Sequence, residues 1–434
     1  MDPHIASALS SIRGLTLDER VVRSHVLRPA WVKEAVSSKG LHDGVAYPEF
    51  VFPIKTTFPY FFDVDGFGKA LHEALRNEVA GYVMQLRQRG RTIYTLQWNW
   101  AKRPWDGGDA WTPNVPMHVA SCSKLITAIA MTKLLADNGI SVDTPVIGFL
   151  PTYWPKGPNV DKVTFRHLMT HTSGLGIANR SDSDFAFMQG CIGSGSTGVG
   201  TYLYQNMNFG LCRILVATIN GNIAPSASFL IPFISNSQDL LWDLITIGAY
   251  TQYVQTQVFA PAGVSGATHE HPAHHALAYS FPPQAAGWNS GDLSSMSGGA
   301  GWHLSVDELL DVMGAFRRAN SIVSTTQAQA MLDAGLGIDV AMDTPLGTLY
   351  NKNGLWGNAG GQVEQSLAYF LPRDMEMVLF ANSPLGSPAK SFRDVVTGIY
   401  TDNVRPRIVI DRVSIRDSAV GAMGAEDNSA ATTF

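Results

Sequence analysis

Residues 117–139 read MHVASCSKLITAIAMTKLLADNG, a helix with no polar face. Leu125, Ile126, Ile129, Met131, Leu134 and Leu135 make it apolar on most sides, and Gly139 supplies the stop. A helix apolar all round has to be enclosed, so the rest of the chain must wrap around it. At its head stand Ser121 and Lys124, spaced S-x-x-K. Residues three apart on a helix share a face, so the spacing alone sets an amine beside a hydroxyl. A serine hydroxyl is a weak nucleophile until a neighbour takes its proton. The helix start adds unpaired N–H groups and a positive dipole end, which favour developing negative charge. A second S-x-x-K, Ser387 to Lys390, has no such company. Ser387 there reads as an N-cap with Pro388 at the first helical position.

The chain can provide such an enclosure. It has 434 residues, 45% apolar and 15% charged, enough for a sizeable core in one large or two interleaved domains. A net charge of −5 without a basic run argues against a nucleic-acid partner. No stretch approaches the roughly 20 apolar residues of a membrane span. The opening MDPHIASALSSIRGLTLDERVV lacks a basic region followed by an apolar core, so no signal peptide is visible and a cytoplasmic location is expected. Three cysteines, Cys122, Cys191 and Cys212, are too few for a disulfide framework.

Regular patterning begins near Gly66. Phe67 to Val79 reads as an amphipathic helix, and Gly81 to Gln88 and Thr92 to Trp100 as strands around an Arg89-Gly90 turn. Asn206 opens an apolar run to Ile219 that suits a core helix. Ser305 and Glu308 form a capping box before another helix. Gln365 to Leu371 and Glu376 to Ala381 read as paired strands, and Phe392 to Tyr400 as a closing helix. A strand-like piece, RIVIDRVSI, lies in a tail of small and polar residues.

Two further motifs follow Ser121 in order. Tyr204-Gln205-Asn206 is a Y-x-N, and Lys352-Asn353-Gly354 is a variant of K-T-G just before a strand pattern. With VTFRHLMTHTSGLG at 163–176, this set resembles the serine β-lactamase and penicillin-binding protein superfamily, in its class C branch, which includes family VIII esterases. The resemblance covers about 66–404. It implies an α/β fold in which helices flank an antiparallel sheet and a mostly helical domain is inserted. The expected divisions are an N-terminal extension over 1–65, an α/β domain over 66–145 and 284–404, a helical domain over 146–283 and a tail over 405–434. Only the segment 176–203 separates the TSGL stretch from Tyr204, short for this branch, and that implies an open cleft.

The resemblance also implies roles. Ser121 is the expected nucleophile, Lys124 its proton acceptor or a cation lowering the tyrosine, and Tyr204 the general base. Asn206 is expected to hold Lys124 or a substrate carbonyl, with Lys352, Asn353 and Gly354 on the substrate. Gly357-Asn358-Ala359 competes as the third motif because LWGNAGGQVE lengthens the region. The Ser121 N–H and one N–H of the following strand are expected to form the oxyanion hole. Cys122 faces away from Ser121 and reads as a small hydrophobe. His269, His271, His274 and His275 lie close in sequence, but Pro272 and the irregular spacing suggest an exposed loop and not a metal site. The chemistry calls for no cofactor and no metal. The expected activity is that of a serine hydrolase cleaving small-molecule esters or amides. A class C-type β-lactamase or D-Ala-D-Ala carboxypeptidase is the alternative, and a catalytically silent penicillin-binding sensor the third reading. The oligomeric state stays open.

Overall fold

An antiparallel sheet divides the molecule into two cores. The computed structural model describes residues 21–22, 60–177, 180–229, 237–387 and 391–406. In chain order the helices that matter here are α1 (Val64–Leu75), α2 (Ser123–Asp137), α3 (Phe165–Met169), α4 (Phe185–Ser194), α5 (Asn206–Ile219), α6 (Ser237–Val254), α7 (Val306–Arg317), α8 (Thr325–Asp333) and α9 (Phe392–Asp402). The strands are β1 (Gly81–Gln88), β2 (Arg91–Lys102), β3 (Val340–Thr344), β4 (Gly347–Gly357), β5 (Val363–Leu371) and β6 (Met375–Ala381). They lie in the order β2-β1-β6-β5-β4-β3, with Val21–Val22 along the outer edge of β2. The β1–β2 turn places Arg89 and Gly90 at φ values of 50° and 76°, the handedness that suits a tight hairpin.

Strand alternation explains the two cores. Tyr82, Met84, Leu86, Met377 and Leu379 face α1 and α9. Val83, Val378 and Phe380 turn the other way, toward α2 and the helices around it. Side chains point to opposite faces at a period of two, so a central strand covered on both sides needs apolar residues throughout. β6, MEMVLFA, is buried along its whole length for this reason. Its Glu376 is held by Arg317 at the end of α7 and by Arg318 just beyond it. Helix α2 lies within the larger core, buried from Ser123 to Met131 without a break.

Several expectations moved. The helix expected at Phe67–Val79 starts at Val64, because the Asp63 side chain accepts from Gly66 N at 3.1 Å, and ends at Leu75. The third motif lies inside β4 and not ahead of a strand. Helix α9 is capped by Ser391, whose side chain accepts from Asp394 N, and Ser387 does not cap it. The Ser387 N–H instead donates to Glu78 Oε2 at 2.7 Å. Pro388 to Lys390, the strand expected beyond Pro406, the rest of that tail and most of the N-terminal extension lie outside the described residues. Tyr60–Phe62, expected within the extension, pairs with Val404–Pro406. All three cysteines are buried and unpaired with one another. Among the described residues no helix is long and apolar enough to cross a membrane.

Helix α1 reaches the sheet through Gly68. A Cβ there would lie 2.1 Å from the hydroxyl of Tyr94, itself fully buried in β2 and unable to swing aside. We expect Gly68→Ala to destabilise the fold by about 1–3 kcal/mol, as overpacked cores do, visible as a lowered Tm. A Tm equal to that of the wild type would contradict this close approach.

Candidate active site

Three separate elements bring polar groups to the head of α2. Ser121 lies in a 3-10 turn, Ala120–Cys122, that runs directly into α2. The junction keeps Ser121 and Lys124 on one face, and Lys124 Nζ donates to Ser121 Oγ at 3.0 Å. Ala120, just before the serine, takes a positive φ of 48°. A non-glycine residue adopts that conformation only where its surroundings impose it. Here the surroundings are specific: the Val119 carbonyl accepts from Ser366 Oγ of β5 at 2.6 Å, and the Val119 N–H donates to Trp302 O at 2.9 Å.

Lys124 is completely buried. Besides Ser121 its amine meets Asn206 Oδ1 at 2.8 Å and Gly299 O at 2.6 Å. Burial holds this amine below the ordinary lysine range, against the opposing pull of Tyr204. Both carbonyls can only accept. The amine therefore donates to Asn206 and Gly299, and its remaining position meets Ser121 Oγ, as a donor when charged and as an acceptor when neutral.

Tyr204 OH lies 2.7 Å from Ser121 Oγ. The Lys124 and Lys352 amines sit 5.1 and 5.4 Å from the centroid of its ring. Burial by itself raises this phenol, but the two cations outweigh it and hold Tyr204 below the usual tyrosine value. Behind it the His171 ring stacks at 4.2 Å between centroids. His171 is pushed well below the usual histidine value, first by burial and then by the two lysines, so a neutral ring backs the tyrosine. His171 takes a φ of 56° and accepts from Gln205 N at 3.3 Å.

Lys352 projects from β4 and is buried against Asp339, Nζ to Oδ1 at 2.6 Å. Burial opposes its charge, but Asp339 and Tyr204 prevail and raise it above the ordinary lysine value. Asp339 Oδ2 also accepts from the Asn353 N–H at 3.0 Å. Gly354 abuts the serine turn, for a Cβ there would lie 2.4 Å from Val119 O and 3.0 Å from Ser121 N. The competing Gly357-Asn358-Ala359 occupies the β4–β5 turn, where Asn358 N bonds Gln362 O. Asp339 N–H bonds Asn351 O, and Asn353 N–H bonds Asp339, so odd-numbered residues of β4 turn their backbone groups away from β5. At a strand's period of two, the Leu355 N–H faces that same edge beside Ser121.

The loop 298–302 clamps α2 in place. Thr127 Oγ1 donates to Gly298 O at 2.6 Å, Trp302 N to Ser123 Oγ at 3.2 Å, and Gly301 N to His118 Nε2 at 3.2 Å. An N–H only donates, so neutral His118 carries its proton on Nδ1 and gives it to Glu364 Oε2 at 2.9 Å. Burial, aided by Lys124, lowers His118 to about 3, and burial raises Glu364 to about 8.

The structure thus gathers Ser121, Lys124, Tyr204, Asn206, Lys352 and Gly354, while Asn353 contributes its N–H to Asp339. Sequence reasoning missed His171, Asp339 and the Gly299 carbonyl. His171 stood within the 163–176 stretch; Asp339 and Gly299 carried no motif. Cys122 is buried beside Ser121, its thiol pushed up to about 12 by burial. The histidine tract is not one exposed loop: His269 stacks on Trp302 at 3.8 Å and His275 is buried, while His271 and His274 are exposed.

Comparison with known proteins agrees with this architecture. The profile of the family described as Beta-lactamase matches residues 68–226. Esterase EstB of Burkholderia gladioli is 32% identical over 112 residues, 25% of this chain and 27% of that protein. Acyltransferase calJ of Penicillium decumbens is 38% identical over 76 residues, 14% of this chain and 18% of that one. The chain thus spans about a quarter or less of the length of these curated relatives. The β-lactamase/D-alanine carboxypeptidase of Pseudomonas syringae shares the fold, with a TM-score of 0.58 at 14% identity over 79% of this chain and 99% of that one. The sheet and its flanking helices thus have the fold of that solved structure, and residues 68–226 match the family described as Beta-lactamase.

Proposed function

We propose that the chain is a serine hydrolase that cleaves carboxylic esters or amides through an acyl-enzyme on Ser121. One observation carries the reading: Ser121 Oγ lies within hydrogen-bond reach of both Tyr204 OH, at 2.7 Å, and Lys124 Nζ, at 3.0 Å. Ser121 Oγ attacks the acyl carbon while its proton passes into the Tyr204–Lys124 pair, which titrates as a unit. The Ser121 and Leu355 N–H groups receive the oxyanion. When the tetrahedral centre collapses, the Tyr204 hydroxyl protonates the departing alkoxide or amine. Water then attacks the acyl-enzyme by the same relay and releases the acid. Similarity to an esterase supports ester substrates, and similarity to an acyltransferase supports an alcohol standing in for water in the second step.

We expect Ser121→Ala to abolish turnover of p-nitrophenyl butyrate without lowering Tm. A fluorophosphonate should label Ser121, read by peptide mass mapping; labelling at Cys122 or Ser387 would overturn the assignment. Lys124→Ala and Tyr204→Phe should each lower kcat by about 10²- to 10⁴-fold, the range of a positioned proton transfer. The double variant should lose little more than the worse single one, because one relay is broken once. Losses that multiply would contradict a shared relay.

The pH profile gives an independent reading of Tyr204. Lys124 of α2 and Lys352 of β4 face its ring, with neutral His171 behind. The cations depress the phenol, and the base form is the deprotonated one, so activity rises as pH climbs through its value. Lys352→Met removes one cation and leaves Asp339 unpaired, and both changes raise Tyr204. The acid limb of kcat/KM should therefore move to higher pH, and a limb moving down would rule out tyrosinate as the base.

A further inference from the structure

We propose that Asp339 sets the charge preference of this site by withdrawing the Lys352 ammonium from substrate, so that the site favours neutral esters with apolar groups over carboxylate-bearing ones. The inference rests on the hydrolase reading above and names its substrate class. Lys352 stands 5.4 Å from the Tyr204 ring, next to the reacting hydroxyl, where a free ammonium would attract an anionic substrate. It is not free. The side chains of Lys352 and Asp339 are 1% and 11% exposed, and their 2.6 Å contact is a desolvated pair. The second Asp339 oxygen is fixed by the Asn353 N–H, so the carboxylate cannot swing off its partner without losing two bonds.

The other charges near the cleft do not replace Lys352. Lys124 is enclosed by Ser121, Asn206 and Gly299, and burial disfavours its charge. Arg393 is paired with Asp394 at 3.1 Å. Exposed side chains with large apolar parts flank the site residues in sequence instead. Leu355, one residue past Gly354, is 62% exposed, and Tyr202 and Leu203, just before Tyr204, are 64% and 47% exposed. Large apolar side chains left open on the segments that carry Tyr204 and Lys352 suit an apolar acyl or leaving group.

Two aryl acetates test the idea: 3-acetoxybenzoate and its methyl ester, which differ by one charge. Wild type should show the higher kcat/KM on the methyl ester by roughly tenfold, the scale of one partly screened charge interaction at this distance. Asp339→Asn leaves Tyr204 to hold the Lys352 charge and should raise the ratio of anionic to neutral kcat/KM by about tenfold, mainly through KM, as an ammonium released from its carboxylate would. Asp339→Glu should restore the wild-type ratio. A merely structural Asp339 would lower both activities together and leave the ratio unchanged, and that result would overturn the inference while sparing the hydrolase reading. Should Asp339→Asn not fold, the wild-type preference decides alone, and a wild type favouring the anionic ester overturns the proposal. Failure of wild type to cleave either ester, with no fluorophosphonate on Ser121, would sink the hydrolase reading and this one with it.

Discussion

The burial of one amine organises the site. Lys124 is fully enclosed, and a buried lysine is tolerable only when every N–H finds an acceptor and its charge is relieved. Three elements meet to satisfy it: the serine turn, the start of α5 through Asn206, and the 298–302 loop through Gly299. Each contact also fixes its own element. Asn206 opens the helix whose preceding residues carry Tyr204, and the Gly299 carbonyl cannot move without also shifting Gly298, which holds Thr127. Removal of the amine would therefore do more than delete the proposed proton acceptor; it would leave the Asn206 and Gly299 oxygens without their common donor.

Around that amine the charges are graded. Burial pulls Lys124 below the ordinary lysine range, Asp339 and Tyr204 raise Lys352 above it, and Tyr204 between the two amines is lowered by both. Neighbouring titratable groups pushed in opposite directions are a common arrangement where protons are handed over. The His118–Glu364 pair repeats the logic one layer deeper, with burial disfavouring charge on both partners. It touches no reacting group, but through Gly301 it steadies the loop that supplies the Gly299 carbonyl.

Local patterns revealed much of this arrangement in the sequence. The S-x-x-K spacing, the apolar run of α2, the Ser305–Glu308 capping box and the β1–β2 hairpin each need only a few neighbouring residues to be recognised. What escaped depends on distant partners. Asp339 precedes a short strand and becomes significant only when β3 and β4 pair and bring it to Lys352. Gly299 contributes a carbonyl, which every residue possesses, so no side-chain pattern could mark it. The start of α1 was misplaced because Val64 and Asp65 look unremarkable until Asp63 is seen to accept from Gly66. His269 was read as exposed, whereas its ring is sandwiched against Trp302.

The bonds at Ser121 also fix the order in which this site can be assembled. Its hydroxyl meets a tyrosine 83 positions away, and its partner lysine meets a carbonyl 175 positions away. The strand that packs on the serine turn lies further along still, since Ser366 and Val119 are 247 positions apart. Contacts so distant along the chain form only after much of the backbone has been ordered. A growing or half-folded chain therefore carries an ordinary, unactivated serine. If Ser121 is the nucleophile proposed above, its power arrives with the completed sheet, and an incomplete molecule would be protected from acylation while its interior is still open.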